Sequence, residues 1–501
     1  MLAELLNPQI VIQGKMYKPH EPFDSLPNEL ILRIFQALGD ASRVTGKSQA
    51  LAGEIVVTHV CGLWRELALS TPSLWNIFQH DGLRGCVSLG RLRAYIERSR
   101  NLPLELFFHF TTTGEDGSTD DLEDGKNALE MFNLVAANQH RCRQLHIFTE
   151  NEEILYYFQD YFQDVSAPML EAFTLCADKS IEYVEDWDQF EDSIWDWDPN
   201  AFLAGSRALK YVRLDRLGLN FVGPNLKSVV ELRLEANPDP DHLPSLTIDY
   251  PVFNGLLALP NIETLSIWGL MFEVGMEFGA EPRFIQAKSL KHFRLSARGW
   301  IGHYFLSNVS APSLETITLE THLFSARGLA CTDHFFPSLH TLALINPYSF
   351  PTEDSRFLEI MEVTRKIKRL VMSDADAPRT NSKPLFLTMM AKLGEAPGNI
   401  WPELEEATLS TTIEDLENNC PQIIQAHPNL KKLLVTPGCL DETTTTRWSV
   451  PETVSVEGID KADPVIPVYW RPGPTSLESA QDPFLACCEQ NTNANSTSDA
   501  S

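Results

Sequence analysis

Eleven copies of one short apolar pattern constrain this chain more than any other feature. The pattern is three anchors spaced Leu-x-x-Leu-x-Leu, with apolar substitutes. Its copies begin at Cys142, Leu170, Leu209, Val229, Ile262, Leu290, Leu314, Leu339, Ile367, Leu404 and Leu430. Leu290/Phe293/Leu295, Leu314/Ile317/Leu319, Leu339/Leu342/Leu344 and Leu430/Leu433/Val435 are clear examples. The last two anchors are two residues apart, which is the period of a strand. The ten steps between starts average 28.8 residues and range from 20 to 39. A unit this short cannot bury its own apolar face and must stack on the next one. The pattern therefore predicts parallel strands side by side in an irregular solenoid. Segments of helical period lie between strands, as at 128–140 (Leu129, Phe132, Val135, Ala136) and 354–364 (Phe357, Leu358, Met361, Val363), and would form an outer layer.

Charge narrows the partners. The 501 residues carry 40 Lys plus Arg against 68 Asp plus Glu, a formal net charge of −28. Phosphate backbones and anionic membrane surfaces would repel such a chain, so neither nucleic acid nor membrane is expected as a partner. No apolar run approaches the roughly 20 residues a membrane span needs. No basic residue precedes the short apolar stretch within 1–14, so a signal peptide is not expected. Nine scattered cysteines without framework spacing point to reduced thiols, hence a cytoplasmic and/or nuclear location.

Residues 24–78 read as a small helical module. Leu26, Leu30, Ile31, Ile34, Phe35 and Leu38 share a helical period, and Val57, Val60, Cys61, Trp64, Leu67 and Ala68 form a second amphipathic run. Pro27 and Glu29 suit a first turn. The apolar content is high for so few residues, as in a module covered by a partner or neighbour. Three segments carry a resemblance: Leu-Pro-Asn-Glu-Leu-Ile-Leu-Arg-Ile-Phe at 26–35, Val-Cys-Gly-Leu-Trp at 60–64 and Pro-Ser-Leu-Trp at 72–75. In this order they resemble an F-box. With 98–106 they are similar to the F-box-like proteins abundant in mushroom-forming fungi, and the repeats resemble the degenerate leucine-rich repeats attached to such modules. The ladder asparagine of regular repeats is seen at Asn237 and is otherwise missing.

The resemblance implies a mechanism. F-box modules dock on the Skp-type adaptor of a cullin–RING ubiquitin ligase, and the repeats select a target protein, here unknown. By resemblance the adaptor surface involves Leu26, Pro27, Ile31, Ile34, Phe35, Val60, Cys61, Trp64, Leu74 and Trp75. The sequence does not separate those that face the adaptor from those that fill the module's own core. The alternative is a non-ligase repeat scaffold with a degenerate F-box. The expected fold is α/β: an N-terminal extension at 1–23, the F-box-like module at 24–80, linker helices and a first strand at 81–141, the repeat solenoid at 142–436 and an extended or disordered tail at 437–501.

Catalytic chemistry finds little footing, and no enzyme activity or cofactor is expected. Gly46-Lys47-Ser48 after Ala41 is a loosened phosphate-loop pattern, but helical rather than strand period precedes it. His140, Cys142 and His146 lack the second ligand cluster that zinc needs, and Cys142 is an anchor. Arg365-Lys366-Ile367-Lys368-Arg369 reads as a helix end and strand start around the anchor Ile367, in preference to a nuclear signal. Two acidic segments, 115–124 and the tryptophan-rich 182–198, read as loops, the second with a docking segment for a basic partner as its other reading.

The residue between the second and third anchors points away from the core. That column is His146, Thr174, Arg213, Arg233, Ser266, Arg294, Thr318, Ala343, Val371, Thr408 and Leu434. Three arginines among eleven positions stand out in so acidic a chain. With the flanking Tyr211, Trp268 and His292 they form the expected target-binding patch, Tyr211, Arg213, Arg233, Trp268, His292 and Arg294. Pairing of the arginines with Asp215, Glu231 and Glu235 is the competing expectation.

Overall fold

The computed structural model describes residues 26–44, 52–80, 85–110, 121–149, 166–177, 206–215, 226–235, 246–268, 272–275, 284–295, 301–320, 335–345, 360–361, 363–373, 400–410, 420, 422–435 and 450–458. Gly46-Lys47-Ser48, the tryptophan-rich segment 182–198, and 459–501 lie outside them.

Three helices open the described chain: α1 (Asn28–Val44), α2 (Gly53–Thr58) and α3 (Gly62–Ser70), closed by a 3₁₀ turn at Pro72–Leu74. Pro27 stands just before α1 and Glu29 lies in its first turn, where a missing N–H and a carboxylate are both accommodated. Gly53 lets α2 start against the backbone of α1. A Cβ there would lie 2.5 Å from the Leu38 carbonyl oxygen and 2.8 Å from the Gly39 nitrogen. Neither atom can rotate away, so Gly53→Ala should destabilise the three-helix unit by about 1–3 kcal/mol. Chemical denaturation checks this, and an unchanged midpoint would refute the contact.

Fourteen strands follow in one sheet. They are β1 (Ile77–His80), β2 (Leu104–Phe110), β3 (Cys142–Thr149), β4 (Ala172–Ala177), β5 (Tyr211–Leu214), β6 (Glu231–Glu235) and β7 (Thr264–Trp268). The second half is β8 (His292–Leu295), β9 (Thr316–Glu320), β10 (Thr341–Ile345), β11 (Arg369–Ser373), β12 (Glu406–Ser410), β13 (Lys432–Val435) and β14 (Ser455–Gly458). Each strand pairs with the next in chain order, and every pairing is parallel. The fold is α/β and solenoid-like. All eleven anchor sets lead into strands, β3 to β13. The second anchors form one unbroken row from Leu145 through Phe173, Val212, Leu232, Leu265, Phe293, Ile317, Leu342, Leu370 and Ala407 to Leu433. Burying one such side chain contributes roughly 1.5–3 kcal/mol, so the row and its neighbours dominate the stability.

Helices cover the anchor face. Leu92 and Tyr95 of α4 (Gly85–Arg98) and Phe132 and Val135 of α5 (Asp121–Ala137) join the anchors in one core. So do Phe253 of α6 (Tyr250–Leu257) and Phe305 of α7 (Ile301–Asn308), the latter stacked on Phe293 at 3.9 Å. The core is continuous from Ile31 of the opening helices to Val454. Among the described residues no helix is long and apolar enough to cross a membrane.

The sheet exceeds the expected repeat at both ends. β1 lies inside the stretch read as helical module, and β14 lies inside the stretch read as tail. At β14 the spacing hides the repeat. Val454 takes the first-anchor turn, but Val456, which pairs with Leu433, follows it by two residues where the template has three. Helix α5 begins at Asp121, within the acidic segment read as a loop, where carboxylates suit a helix N-terminus.

A hydrogen-bond ladder binds successive turns. At five of the turns the residue before the first anchor donates its side chain to a carbonyl one repeat earlier. Asn261 bonds Lys227 O at 2.9 Å, Ser289 bonds Pro260 O at 2.7 Å and Ser313 bonds Lys288 O at 2.9 Å. Ser338 bonds Pro312 O at 2.7 Å and Asn429 bonds Pro402 O at 2.8 Å. The recurrent Pro-Ser/Asn-apolar motif is the sequence form of this ladder at four of the five turns, with Lys288 in place of Pro at Ser289.

Candidate functional site

The opening helices divide their apolar residues between two surfaces. Ile31, Phe35, Val57, Trp64, Ala68, Leu74 and Trp75 are buried. Phe35 meets Trp64 edge-on with centroids 4.9 Å apart, and Trp75 donates its indole N–H to Ala68 O at 2.8 Å. Ile31, Phe35, Trp64, Leu74 and Trp75, expected as adaptor contacts, thus fill the module's own core. Pro27 and Val60 are exposed, while Leu26, Ile34 and Cys61 are half-buried. Cys61 caps α3, its sulfur accepting the Trp64 N–H at 3.5 Å.

Four residues outside the expected surface complete the outer one. Leu30, Leu38, Leu63 and Leu69, together with Val60, are each 38–48% exposed. Among the described residues only two other large hydrophobic side chains, Met169 and Phe284, are exposed. Four of the seven therefore sit on α1 and α3, and a fifth, Val60, in the turn between α2 and α3, a local concentration of exposed apolar side chains. Leu30, Ile34 and Leu38 repeat at four-residue intervals, one stripe of α1. A second stripe, Ile31 and Phe35, faces inward. Two apolar stripes on one helix is the sequence signal that locates this surface.

The sheet assembles the other candidate residues. The column read between second and third anchors is one row of register partners, from His146 through Thr174, Arg213, Arg233, Ser266, Arg294, Thr318, Ala343, Val371 and Thr408 to Leu434. Gln79 and Phe107 precede it and Glu457 follows it. Arg213 and Arg233 are on adjacent strands, and only Ser266 separates Arg233 from Arg294. Tyr211 and His292 lie in one flanking row with Glu231 and Thr264 between them. Trp268 lies on the other flank, paired with Glu235, and its side chain is outside those described.

The row is covered rather than open. His146, Arg213, Arg233 and Arg294 are each 5% exposed or less. Parallel sheets are buried on both faces as a rule. Arg233 Nε donates to Glu231 Oε1 at 2.9 Å, and both side chains are buried. Asp215 is buried nearby in sequence after Arg213. The acidic pairing expected for the arginines is thus present at Glu231. His146 stacks on Phe107 at 4.7 Å, and its Nδ1 lies 2.8 Å from Thr174 Oγ1. Burial, reinforced by the Arg213 charge, pushes the His146 pKa down to about 3. Burial and then Lys291 push His292 down to about 4.

A second row runs along the rim, one residue after each first anchor. It reads Arg143, Glu171, Lys210, Val230, Glu263, Lys291, Glu315, His340, Lys368, Glu405 and Lys431, each N–H bonding the carbonyl of its predecessor. Its charges alternate. Lys291 and Glu263 are 2.9 Å apart, Lys431 and Glu405 2.7 Å, and Arg143 pairs with Glu105 of the strand before. Exposed pairs contribute little each, up to about 1 kcal/mol, but they neutralise the rim.

Among the described residues no group of three or more His, Cys, Asp and Glu is placed to hold a metal ion. Cys142 lies in the core, where burial pushes its thiol up to about 12, while His140 is exposed and His146 stacks on Phe107. Ile367 is a buried anchor between the exposed Lys366 and Lys368.

No family model matches the chain, and no curated protein matches it in sequence. Among solved structures it is similar to the crystal structure of the Rad7 and Elc1 complex in yeast. The identity is 12%, with 86% of this chain and 97% of that chain covered, at a TM-score of 0.24.

Proposed function

We propose that this chain is the substrate-recognition subunit of a Skp-cullin-F-box type ubiquitin ligase. The opening helices are its F-box, and the fourteen-strand sheet is a degenerate leucine-rich-repeat solenoid that holds the target. The observation that carries the reading is the exposure of Leu30, Leu38, Val60, Leu63 and Leu69 on α1, on α3 and in the turn before α3, in a unit whose own core is already filled. Apolar side chains surplus to a core are what a docking module keeps for its partner. The ordered F-box-like motifs at 26–35, 60–64 and 72–75 name that partner as a Skp-type adaptor, which links to a cullin. The chain then needs no catalytic residue. It raises the local concentration of a target lysine beside a ubiquitin-charged enzyme. The target patch expected at Tyr211, Arg213, Arg233, Trp268, His292 and Arg294 does not carry this reading, because Arg213, Arg233, His292 and Arg294 are buried.

The test is capture of purified Skp-type adaptor by the full chain. The wild type binds, and Leu30→Asp with Leu63→Asp weakens binding at least about 100-fold, the loss of two apolar anchors. Both positions are exposed, so thermal unfolding stays unchanged. Wild-type affinity in the double variant, or no adaptor binding by the wild type, overturns the reading. Adaptor binding without recruitment of cullin would leave a scaffold instead of a ligase subunit.

A further inference from the structure

The opening helices and the sheet meet at a buried polar contact that none of the readings above uses. Glu54 stands in the first turn of α2 and is almost wholly buried. Tyr95, on α4 behind the first strands, is equally buried and donates its phenol O–H to Glu54 Oε1. The second carboxylate oxygen, Oε2, has no hydrogen-bond partner among the described residues. Arg91, one turn before Tyr95, places its guanidinium 5.9 Å from the Tyr95 ring centroid and 5.6 Å from that of Phe78. Around this contact the packing is aromatic. Trp75 and Phe78 both meet Tyr95 edge-on, at 5.1 and 5.3 Å, and Arg98 lies 4.4 Å over Trp75.

A carboxylate in such surroundings is an unfavourable choice for stability alone, since an apolar residue of the same size would need no partner. It does supply direction. The contact is satisfied only when α2 sits where the phenol can reach it, whereas apolar packing tolerates sliding. We propose that Glu54 and Tyr95 form a latch that fixes the opening helices in one orientation on the sheet, with Tyr95 as its positioning residue. Burial, and then Glu54 itself, hold the phenol pKa above its ordinary value. The phenol therefore stays protonated, and a donor, at any physiological pH. The exposed Val60 and Leu63 follow α2 directly, so the latch sets where these side chains stand relative to the rows of the sheet. The inference concerns the geometry of this chain and does not depend on which partner binds.

Hydrogen exchange of the full chain tests it. In Tyr95→Phe the carboxylate keeps its burial and loses its donor. Amides of α1 to α3 are expected to exchange as one block about 30-fold faster, while those of β5 to β13 keep their wild-type rates. Adding Glu54→Leu to Tyr95→Phe removes the stranded carboxylate, and protection of the block returns. Unchanged exchange in Tyr95→Phe overturns the latch. So does equal acceleration across the whole sheet, which would make Tyr95 a general core residue. So too does failure of the paired variant to restore protection, because the carboxylate would then not be the reason for the loss.

Discussion

Between pH 6.5 and pH 5 the sheet loses stability on the order of 4 kcal/mol, before most carboxylates begin to protonate. Three imidazoles cause this. Burial pushes His146 down to about 3, and His292 and His427 down to about 4. The folded pKa of each lies below the unfolded value of about 6.5. The unfolded chain therefore binds protons first as the pH falls. Stability is fully present above about 6.5 and is lost progressively down to the folded values. Each unit of depression is worth about 1.4 kcal/mol at most, and the total is set lower because His292 and His427 are not fully sealed. Urea midpoints at half-unit steps from pH 7 to pH 4.5 check the result. A flat profile above pH 5 would disprove it, and His427→Gln should flatten the wild-type slope in part.

Trp75→Ala should destabilise the whole chain by about 3–5 kcal/mol, the range for a large aromatic removed from a core that cannot collapse. Three contacts fail together. The indole N–H loses Ala68 O, Tyr95 loses an edge-on neighbour and Arg98 loses the ring beneath it. The effect separates Trp75 from the exposed leucines: Trp75→Ala moves the unfolding midpoint, whereas Leu30→Asp and Leu63→Asp move binding. A Trp75→Ala chain that melts like the wild type yet captures no adaptor would reverse these assignments.

The repeat is legible because its signal is local spacing along the chain. Anchors two residues apart fix a strand face, and their recurrence fixes a parallel neighbour, so the row from His146 to Leu434 follows from counting alone. Its environment was not legible. Whether Arg233 meets solvent or Glu231 depends on what lies over the sheet, and no periodicity reports that. The helices show the same limit. Period identifies Ile31, Ile34, Phe35 and Leu38 as apolar positions of one helix. Only the approach of α3 decides that Phe35 meets Trp64 while Leu38 remains outside. β14 escapes the repeat template because one residue fewer between Val454 and Val456 breaks the spacing without breaking the pairing with Leu433. The charge alternation along the rim is visible in the sequence once the copies are stacked, but no single copy contains it.

The turn ladder gives the array a direction. Each Ser or Asn donor reaches backwards, to a carbonyl in the repeat before it. Cutting the array after a turn leaves behind a carbonyl, which water satisfies readily and which has other geometry to spare. Cutting before a turn strips an exposed Ser or Asn donor of its acceptor, and a cut on either side exposes the apolar anchors that the lost repeat had covered. The two ends of such a chain are therefore not equivalent under growth. A repeat added after the last turn needs only a donor of its own, while one added before the first must also offer a carbonyl in register. A repeat appended on the C-terminal side thus finds its acceptor already in place.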